Sequence, residues 1–267
     1  MTRLTRTPQE LKEALIDVPG VSLVPTMGAL HSGHISLVRE AKKLGNPVVV
    51  SIFVNPLQFA PGEDLDAYPR TLDEDMAKLE AEGVDAVFAP SVSTMYPHGP
   101  RTTIHPGPLG SVLEGKTRPT HFAGVLTVVA KLFCLTGATD AFFGEKDYQQ
   151  LALIRQMVED LHLPVRVHGC PIIRENSGLA LSSRNRYLSS EEHDTALVLS
   201  RALATGSYEE ARLLLDATPN IQLDYLTVTT PDLSELPEDY RGPARLLVAA
   251  KVGETRLIDN VVITITS

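Results

Sequence analysis

Short continuous apolar runs alternate with helically spaced ones over the first two thirds of this chain. Val21–Val24, Val48–Val54, Ala86–Ala89, Ala141–Phe143 and Val165–Val167 read as strands, because a strand covered on both faces shows no polar side. Helical spacing begins near His34, with Ile35, Val38, Ala41 and Lys42, and recurs over Leu72–Glu82, Val125–Leu135 and Tyr148–Leu161. Strand and helix in turn predict an α/β fold: a Rossmann-like, doubly wound parallel sheet with right-handed crossovers and ligands at the carboxyl ends of its strands. Thr7-Pro8-Gln9-Glu10 reads as a capped helix start. After Ile173 the pattern changes. Ser189-Ser-Glu-Glu192 caps a helix through Leu203, a second covers Glu209–Leu215, and Leu223–Val228, Leu246–Val252 and Arg256–Ile265 read as antiparallel strands with a turn at Gly253-Glu254. The expected organisation is one domain over residues 1–173 and a smaller C-terminal α+β domain over 174–267, with the boundary between about Cys170 and Arg186.

The composition narrows the class. With 267 residues there is material for one large and one small domain, and 43% hydrophobic with 21% charged residues is ordinary for a globular protein. Met1–Gly20 has no apolar signal-like core, and no run approaches the roughly 18 apolar residues that span a bilayer, so a cytoplasmic protein without a membrane partner is expected. Cys134 and Cys170 lie in apolar contexts without CxxC spacing, which predicts buried thiols rather than a disulfide or a zinc site. A formal charge of −9 argues against a nucleic-acid footprint, though a few local cations can still hold ATP.

The densest chemistry lies in Val21-Ser-Leu-Val-Pro-Thr-Met-Gly-Ala-Leu-His31-Ser-Gly-His34, where a strand, a glycine turn at Gly28, a helix start near Ser32 or Gly33 and two histidines follow one another. Free amides and the dipole of a helix N-terminus attract an anion, and two imidazoles in the first turn can donate to it. Neither a P-loop lysine nor a GxGxxG pattern is present.

His31-Ser-Gly-His34 resembles the HIGH motif of the nucleotidyltransferase superfamily. Four further segments are similar, in order and spacing, to the pantothenate synthetase (pantoate–β-alanine ligase) family: Phe53-Val-Asn55-Pro-Leu-Gln58-Phe59; Leu113-Glu114-Gly115 with Arg118-Pro-Thr-His121-Phe122; Phe143-Gly144-Glu145-Lys146-Asp147-Tyr148-Gln149-Gln150; and Leu181-Ser182-Ser183-Arg184-Asn185. The resemblance runs from about Thr7 to the C-terminus. It implies that pantoate and ATP give pantoyl adenylate and pyrophosphate, after which β-alanine gives pantothenate and AMP, in a homodimer using Mg²⁺. It also implies catalytic roles for His31, His34, Lys146 and Arg184. The nucleotide would lie on Met27, Gly28, Ala29, Leu30, His31, Ser32, Gly33 and His34, on Gly144, Glu145, Lys146 and Asp147, beside Ile173, and under Leu181, Ser182, Ser183 and Arg184. Pantoate would meet Gln58, Gln150 and Asn55.

The chemistry is compatible with these residues. A carboxylate with a pKa near 4 is ionised at neutral pH, so adenylation calls for alignment and charge neutralisation rather than a strong base. Lys146 follows the strand at Ala141–Phe143, Gly144 permits close approach of a ligand, and Asp147 can accept from ribose hydroxyls. The Ser-Arg loop looks like a KMSKS counterpart with arginine replacing lysine, and reads otherwise as a capping linker. Gln58 and Gln150 offer donors and acceptors to pantoate hydroxyls. Asn55 either orients that wall or shapes the turn before Pro56. Tyr68 is a further candidate, and Glu114, Arg118 and His121 flank the site by resemblance alone. The acidic stretch from Glu63-Asp64 to Asp73-Glu74-Asp75 reads as a solvated helix face with a capping box at Thr71-Leu-Asp-Glu74, or with Asp75 holding magnesium through water. Loop Pro97–Pro108 carries turn residues and no legible chemistry. Three rivals share the HIGH-like turn: a cytidylyl- or adenylyltransferase, a truncated class I tRNA synthetase, and a nucleotide sensor without turnover.

Overall fold

A computed structural model describes all residues except 17, 61, 64 and 267; Asp64 of the acidic stretch thus lies outside the described residues. The elements in chain order are β1 (Arg3–Thr5), α1 (Pro8–Ala14), β2 (Ser22–Thr26), α2 (Ser32–Lys42), β3 (Val48–Ile52), α3 (Leu72–Ala81), β4 (Ala86–Phe88), α4 (Val92–Met95), α5 (Glu114–Thr117), α6 (His121–Thr136), β5 (Asp140–Gly144), α7 (Tyr148–Asp160), β6 (Arg166–Cys170), α8 (Ser190–Ala204), α9 (Tyr208–Asp216), β7 (Ile221–Thr229), β8 (Gly242–Val252) and β9 (Thr255–Ile265). They fall into two compact units, Met1–Glu145 with Leu153–Cys170, and Lys146–Ala152 with the chain from Pro171 onward.

The first unit contains a parallel sheet in the order β1-β4-β3-β2-β5-β6. From β2 the chain winds outward through β3 to β4, then crosses to the other side of β2 for β5 and β6. The winding reverses between β2 and β5, the place where open α/β sheets bind ligands beyond the carboxyl ends. Val24, Val48, Val50 and Val87 of the strands pack with Leu37, Val38 and Ala41 of α2 and Leu79 of α3, all buried. β1 escaped the sequence pattern because three residues are too few to show a period. Thr7 caps α1 as expected, its Oγ1 accepting from the Glu10 amide at 3.2 Å.

The second unit pairs β7, β8 and β9 antiparallel, and the β8–β9 hairpin closes Val252 on Thr255 through Gly253 at φ +56°. Ala196, Leu199, Ala202 and Leu203 of α8 and Ala211 and Leu215 of α9 pack with Leu246, Val248, Ala250 and Val252. Ser189 and Glu192 form the expected capping box. Lys146–Ala152 belongs here by its packing, although the pattern of alternation assigned it to the domain over 1–173.

Two local expectations are corrected. Cys134 is exposed, because residues 125, 126, 128, 129, 132 and 133 turn one face of α6 inward and leave 134 outside it. Cys170 is buried, and burial, with the Glu40 and Glu145 carboxylates, pushes its thiol up to about 11. Thr71 makes no cap; its hydroxyl donates to Asp75 Oδ2 at 3.3 Å instead.

Candidate active site

The HIGH-like turn closes on itself. His31 is the N-cap of α2, and its Nδ1 accepts from the Gly33 amide at 3.1 Å while His34 Nδ1 accepts from the His31 amide at 3.2 Å, a capping box built from two imidazoles. The rings lie 4.0 Å apart between centroids. An amide can only donate, so both Nδ1 atoms are acceptors and each neutral ring carries its proton on Nε2. This changes the anion-binding expectation. The Leu30, His31, Gly33 and His34 amides are all taken by protein acceptors, so these four amides around the helix start are not donors to an anion.

The turn is held from below by α3. Leu30 N donates to Asp75 Oδ1 at 2.7 Å, and Lys78 Nζ donates to Leu30 O at 2.8 Å, so both peptide groups of Leu30 are fixed. Asp75 is fully buried, which overturns the solvated-face reading at that position. Above it the chain takes left-handed φ at Gly28 (+88°) and Ala29 (+49°). A Cβ on Gly28 would also sit 3.0 Å from Ile52 Cγ2 and 3.1 Å from Asp75 Oδ2, so glycine is needed there for conformation and for space. Since both Asp75 oxygens accept protein hydrogens inside the fold, Asp75 does not fit a magnesium ligand even through water. Among the described residues, no three His, Cys, Asp or Glu side chains cluster as a metal site.

Beyond β3, a 3₁₀ turn at Pro56–Gln58, capped by Asn55, carries two of the pantoate-binding candidates, Asn55 and Gln58. Asn55 is 1% exposed and Gln58 8%. Asn55 Oδ1 accepts from Tyr96 Oη at 3.0 Å and from Leu57 N at 3.4 Å, while its Nδ2 donates to Gln58 Oε1 at 3.2 Å and to Gly124 O at 3.1 Å. The Asn55 amide is thus fully used inside the protein, where it holds the Gln58 side chain. Burial pushes the Tyr96 hydroxyl up to about 12, so it remains a donor at neutral pH and fixes which way the Asn55 amide faces. Gln58 Nε2 in turn meets Met27 Sδ at 3.0 Å, linking the wall to the HIGH-like turn. Tyr96→Phe is expected to fold with a loss of about 1–3 kcal/mol, because Asn55 Oδ1 loses its best donor. Its KM for the acid substrate should rise about tenfold while KM for ATP stays put, a split that steady-state kinetics reads directly.

The backbone of the same turn is gripped from the opposite side. Gln58 O accepts from Arg118 Nη2 at 3.2 Å and from His121 Nδ1 at 2.9 Å; His121 Nε2 then accepts from Arg118 Nη1 at 3.2 Å. Arg118 also forms a two-pronged pair with Glu63, at 2.8 and 2.7 Å, and its guanidinium holds the Glu63 carboxyl below the usual range. These contacts explain why Arg118 and His121 accompany Gln58. Tyr68 is buried edge-on against Phe59. A cavity of about 290 Å³ beside Met27, walled by Phe53, Arg70, Thr71 and Pro90, contains neither the imidazoles nor the glutamines.

At the end of β5, Gly144 leaves open space where a Cβ would stand. Gly144→Ala is therefore expected to leave the melting temperature within a degree or two and to raise KM for ATP. Equal nucleotide binding by calorimetry in both proteins would remove Gly144 from the nucleotide wall.

The second unit carries the remaining candidates. Lys146 Nζ lies 3.4 Å from Asp147 Oδ2, and Gln150 follows two residues into α7. Ile173 O accepts from Leu181 N at 2.9 Å, closing a small loop whose Arg174 and Ala180 form a bridge. Ser182 Oγ accepts from Arg184 N at 3.3 Å and so caps the 3₁₀ turn Ser183–Tyr187, as the linker reading anticipated. Asn185 Nδ2 donates to Glu175 and His193 Nε2 to the other Glu175 oxygen, both at 2.7 Å, which ties this Ser-Arg loop to α8. Asp75, Lys78, Tyr96, Gly124 and Glu63 were missed as supports of the site. A glycine inside a helical pattern signals close packing, whereas nothing local marks Tyr96.

Known proteins share this sequence and fold. The family model described as pantoate-beta-alanine ligase matches residues 3–262. The chain is 65% identical to a pantothenate synthetase of Corynebacterium jeikeium (strain K411), over 90% of this chain and 82% of the relative, and 60% identical to one of Nocardia farcinica (strain IFM 10152), over 92% and 80%. Among solved structures, pantothenate synthetase from Thermus thermophilus superposes with a TM-score of 0.90 at 48% identity, covering 97% of this chain and 99% of that one. A pantoate-beta-alanine ligase from Francisella tularensis, complexed with beta-gamma ATP and beta-alanine, superposes with a TM-score of 0.85 at 36% identity, covering 98% and 97%. Match, identity and fold extend over nearly the whole length, and the chain belongs to the pantoate–β-alanine ligase family.

Proposed function

We infer that this chain is an AMP-forming ligase that joins pantoate to β-alanine. In the first step a pantoate carboxylate oxygen attacks the α-phosphorus of ATP, the bond from that phosphorus to the bridging oxygen breaks, and pyrophosphate leaves. In the second, the β-alanine nitrogen attacks the acyl carbon, the acyl C–O bond breaks, AMP leaves and the nitrogen loses its proton. The observation that carries the reading is the reciprocal His31–His34 cap, which commits both Nδ1 atoms as acceptors and presents Nε2–H donors suited to phosphate oxygens.

The roles follow from chemistry and family resemblance together. His31 and His34 donate to phosphate oxygens as charge builds on the departing pyrophosphate. Lys146 and Arg184 neutralise that charge, with Ser182 and Ser183 as further donors. Met27–His34, Gly144, Glu145, Asp147, Ile173 and Leu181 make up the rest of the nucleotide surface. Gln58 and Gln150 recognise pantoate hydroxyls, and Asn55 holds Gln58. Magnesium arrives on the triphosphate, since Mg²⁺ keeps several waters and needs few protein ligands. Among the described residues, no helix is long and apolar enough to cross a membrane. A cytoplasmic homodimer without a nucleic-acid partner completes the proposal.

The test is ATP–pyrophosphate exchange, first with pantoate and then with β-alanine added, followed by mass spectrometry of AMP and pantothenate. Pantoate-dependent exchange with both products is the expected result. Nucleotide binding without exchange would point to the sensor, and exchange with a phosphate ester in place of pantoate would point to a nucleotidyltransferase.

A further inference from the structure

We propose that Asn260 and Arg245 are positioning residues for Lys146, fixing the backbone from which its ammonium reaches the phosphates. This rests on the reading of Lys146 as a phosphate-facing cation. Within the second unit, Asn260 Nδ2 donates to Lys146 O at 3.1 Å, and Asn260 Oδ1 accepts from Arg245 Nη1 at 2.9 Å. Arg245 lies with its guanidinium 3.8 Å from the centre of the Tyr148 ring, and Tyr148 Oη donates to Pro231 O at 2.8 Å. Lys146 and Tyr148, two residues apart, are thus both held by side chains of β8 and β9.

The arrangement is specific in register and in polarity. β8 and β9 pair Arg245 with Val262 and Leu247 with Asn260, so Arg245 and Asn260 are diagonal neighbours on one face of the hairpin. Arg245 is 6% exposed and Asn260 2%, and burying a guanidinium is costly unless it does something a hydrophobic side chain cannot. Here it sets the amide. With Oδ1 turned to Arg245, Nδ2 faces the Lys146 carbonyl. The adjacent Asp259 completes the anchor, accepting from the Asn260 amide at 2.8 Å and from Arg174 at 2.6 and 2.9 Å. These bonds give a physical reason for Lys146–Ala152 packing with the second unit although the chain on either side packs with the first. A lysine on a four-carbon stem contributes to a transition state only when its origin is fixed, and a displacement of about 1 Å is enough to cost up to about 10²-fold in rate.

Asn260→Asp tests this with little change of shape: the carboxylate keeps an acceptor for Arg245 but has nothing to donate to Lys146 O. Pantoate-dependent exchange, measured with radiolabelled pyrophosphate, should lose about tenfold or more in kcat, with KM for pantoate within about twofold and a lowered but still cooperative melting transition. The double variant with Lys146→Ala should be no slower than Lys146→Ala alone, because a residue that acts only through the lysine has nothing further to lose. Independent losses that multiply in the double variant, wild-type kcat for Asn260→Asp, or a change confined to KM for pantoate would each overturn the positioning role while leaving the lysine reading intact. If Lys146→Ala itself exchanges at the wild-type rate, the lysine reading fails and takes this proposal with it. Should Asn260→Asp not fold by circular dichroism, Arg245→Lys takes its place in the same cycle, since it keeps the charge but loses the flat contact with Tyr148.

Discussion

His34→Ala is expected to lower pantoate-dependent ATP–pyrophosphate exchange by about 10²–10³-fold, the usual consequence of removing one pre-oriented donor from a developing anion. Two effects combine. The direct one is loss of the Nε2–H proposed to donate to phosphate oxygens. The indirect one runs through the cap: without His34 Nδ1 the His31 amide loses its acceptor, and the box that fixes the ring of His31 is half undone. His34→Asn separates them, since a short amide oxygen preserves an acceptor for the cap but does not reach as far as an imidazole Nε2. It should fold as well as the parent and still be slow. Because Asp75 and Lys78 hold Leu30 independently, neither variant should lose the turn itself, and α2 should keep its protection in hydrogen exchange. Full exchange activity in His34→Ala would remove the imidazole from the adenylation step.

The fold was legible wherever an element carries its own local signal, a run of one residue type, a cap or a turn glycine. The valines of β3, the capped starts of α1 and α8 and the Gly253 turn each carry a local signal, and each element lies within a residue or two of its expected place. The candidate site was legible where chemistry-bearing side chains cluster in sequence, as at His31-Ser-Gly-His34 and Gly144–Asp147. Supports that come from distant segments were not. Asp75 reads as one more acid on an acidic helix until Leu30, forty-five residues earlier, is seen to donate to it. Tyr96 reaches Asn55 across forty-one residues, from the edge of a loop whose composition announces only turns. Asp259 and Asn260 stand as a buried polar pair inside β9, yet Lys146, the partner of Asn260, lies 114 positions away. In each case the missing information was a long-range pairing, which no local period encodes.

Gly124→Ala should be the most damaging of the conservative substitutions, because the first turns of α6 rest directly on the wall that carries Gln58. A Cβ at 124 would stand 2.3 Å from Leu57 O, 2.4 Å from Leu57 C and 2.7 Å from Gln58 N, all backbone atoms that cannot swing aside like a side-chain tip. Alanine is the better helix former by about 1 kcal/mol, so an isolated α6 would gain from the change; here overpacking against backbone costs about 1–3 kcal/mol or more and reverses the sign. Either α6 moves outward or the Pro56–Gln58 turn is pushed away from it. Both routes break the Asn55 Nδ2 to Gly124 O bond and loosen the grip of Arg118 and His121 on Gln58 O. The expected result is a lower melting temperature together with a rise of about tenfold or more in KM for pantoate, since the displaced Gln58 no longer meets the hydroxyls it is set to recognise. ATP binding, proposed to draw on the HIGH-like turn with its own brace from α3, should change little. A variant with a lowered melting temperature but unaltered KM for pantoate would show that the contact between α6 and the turn serves stability alone, and that the orientation of Gln58 does not depend on it.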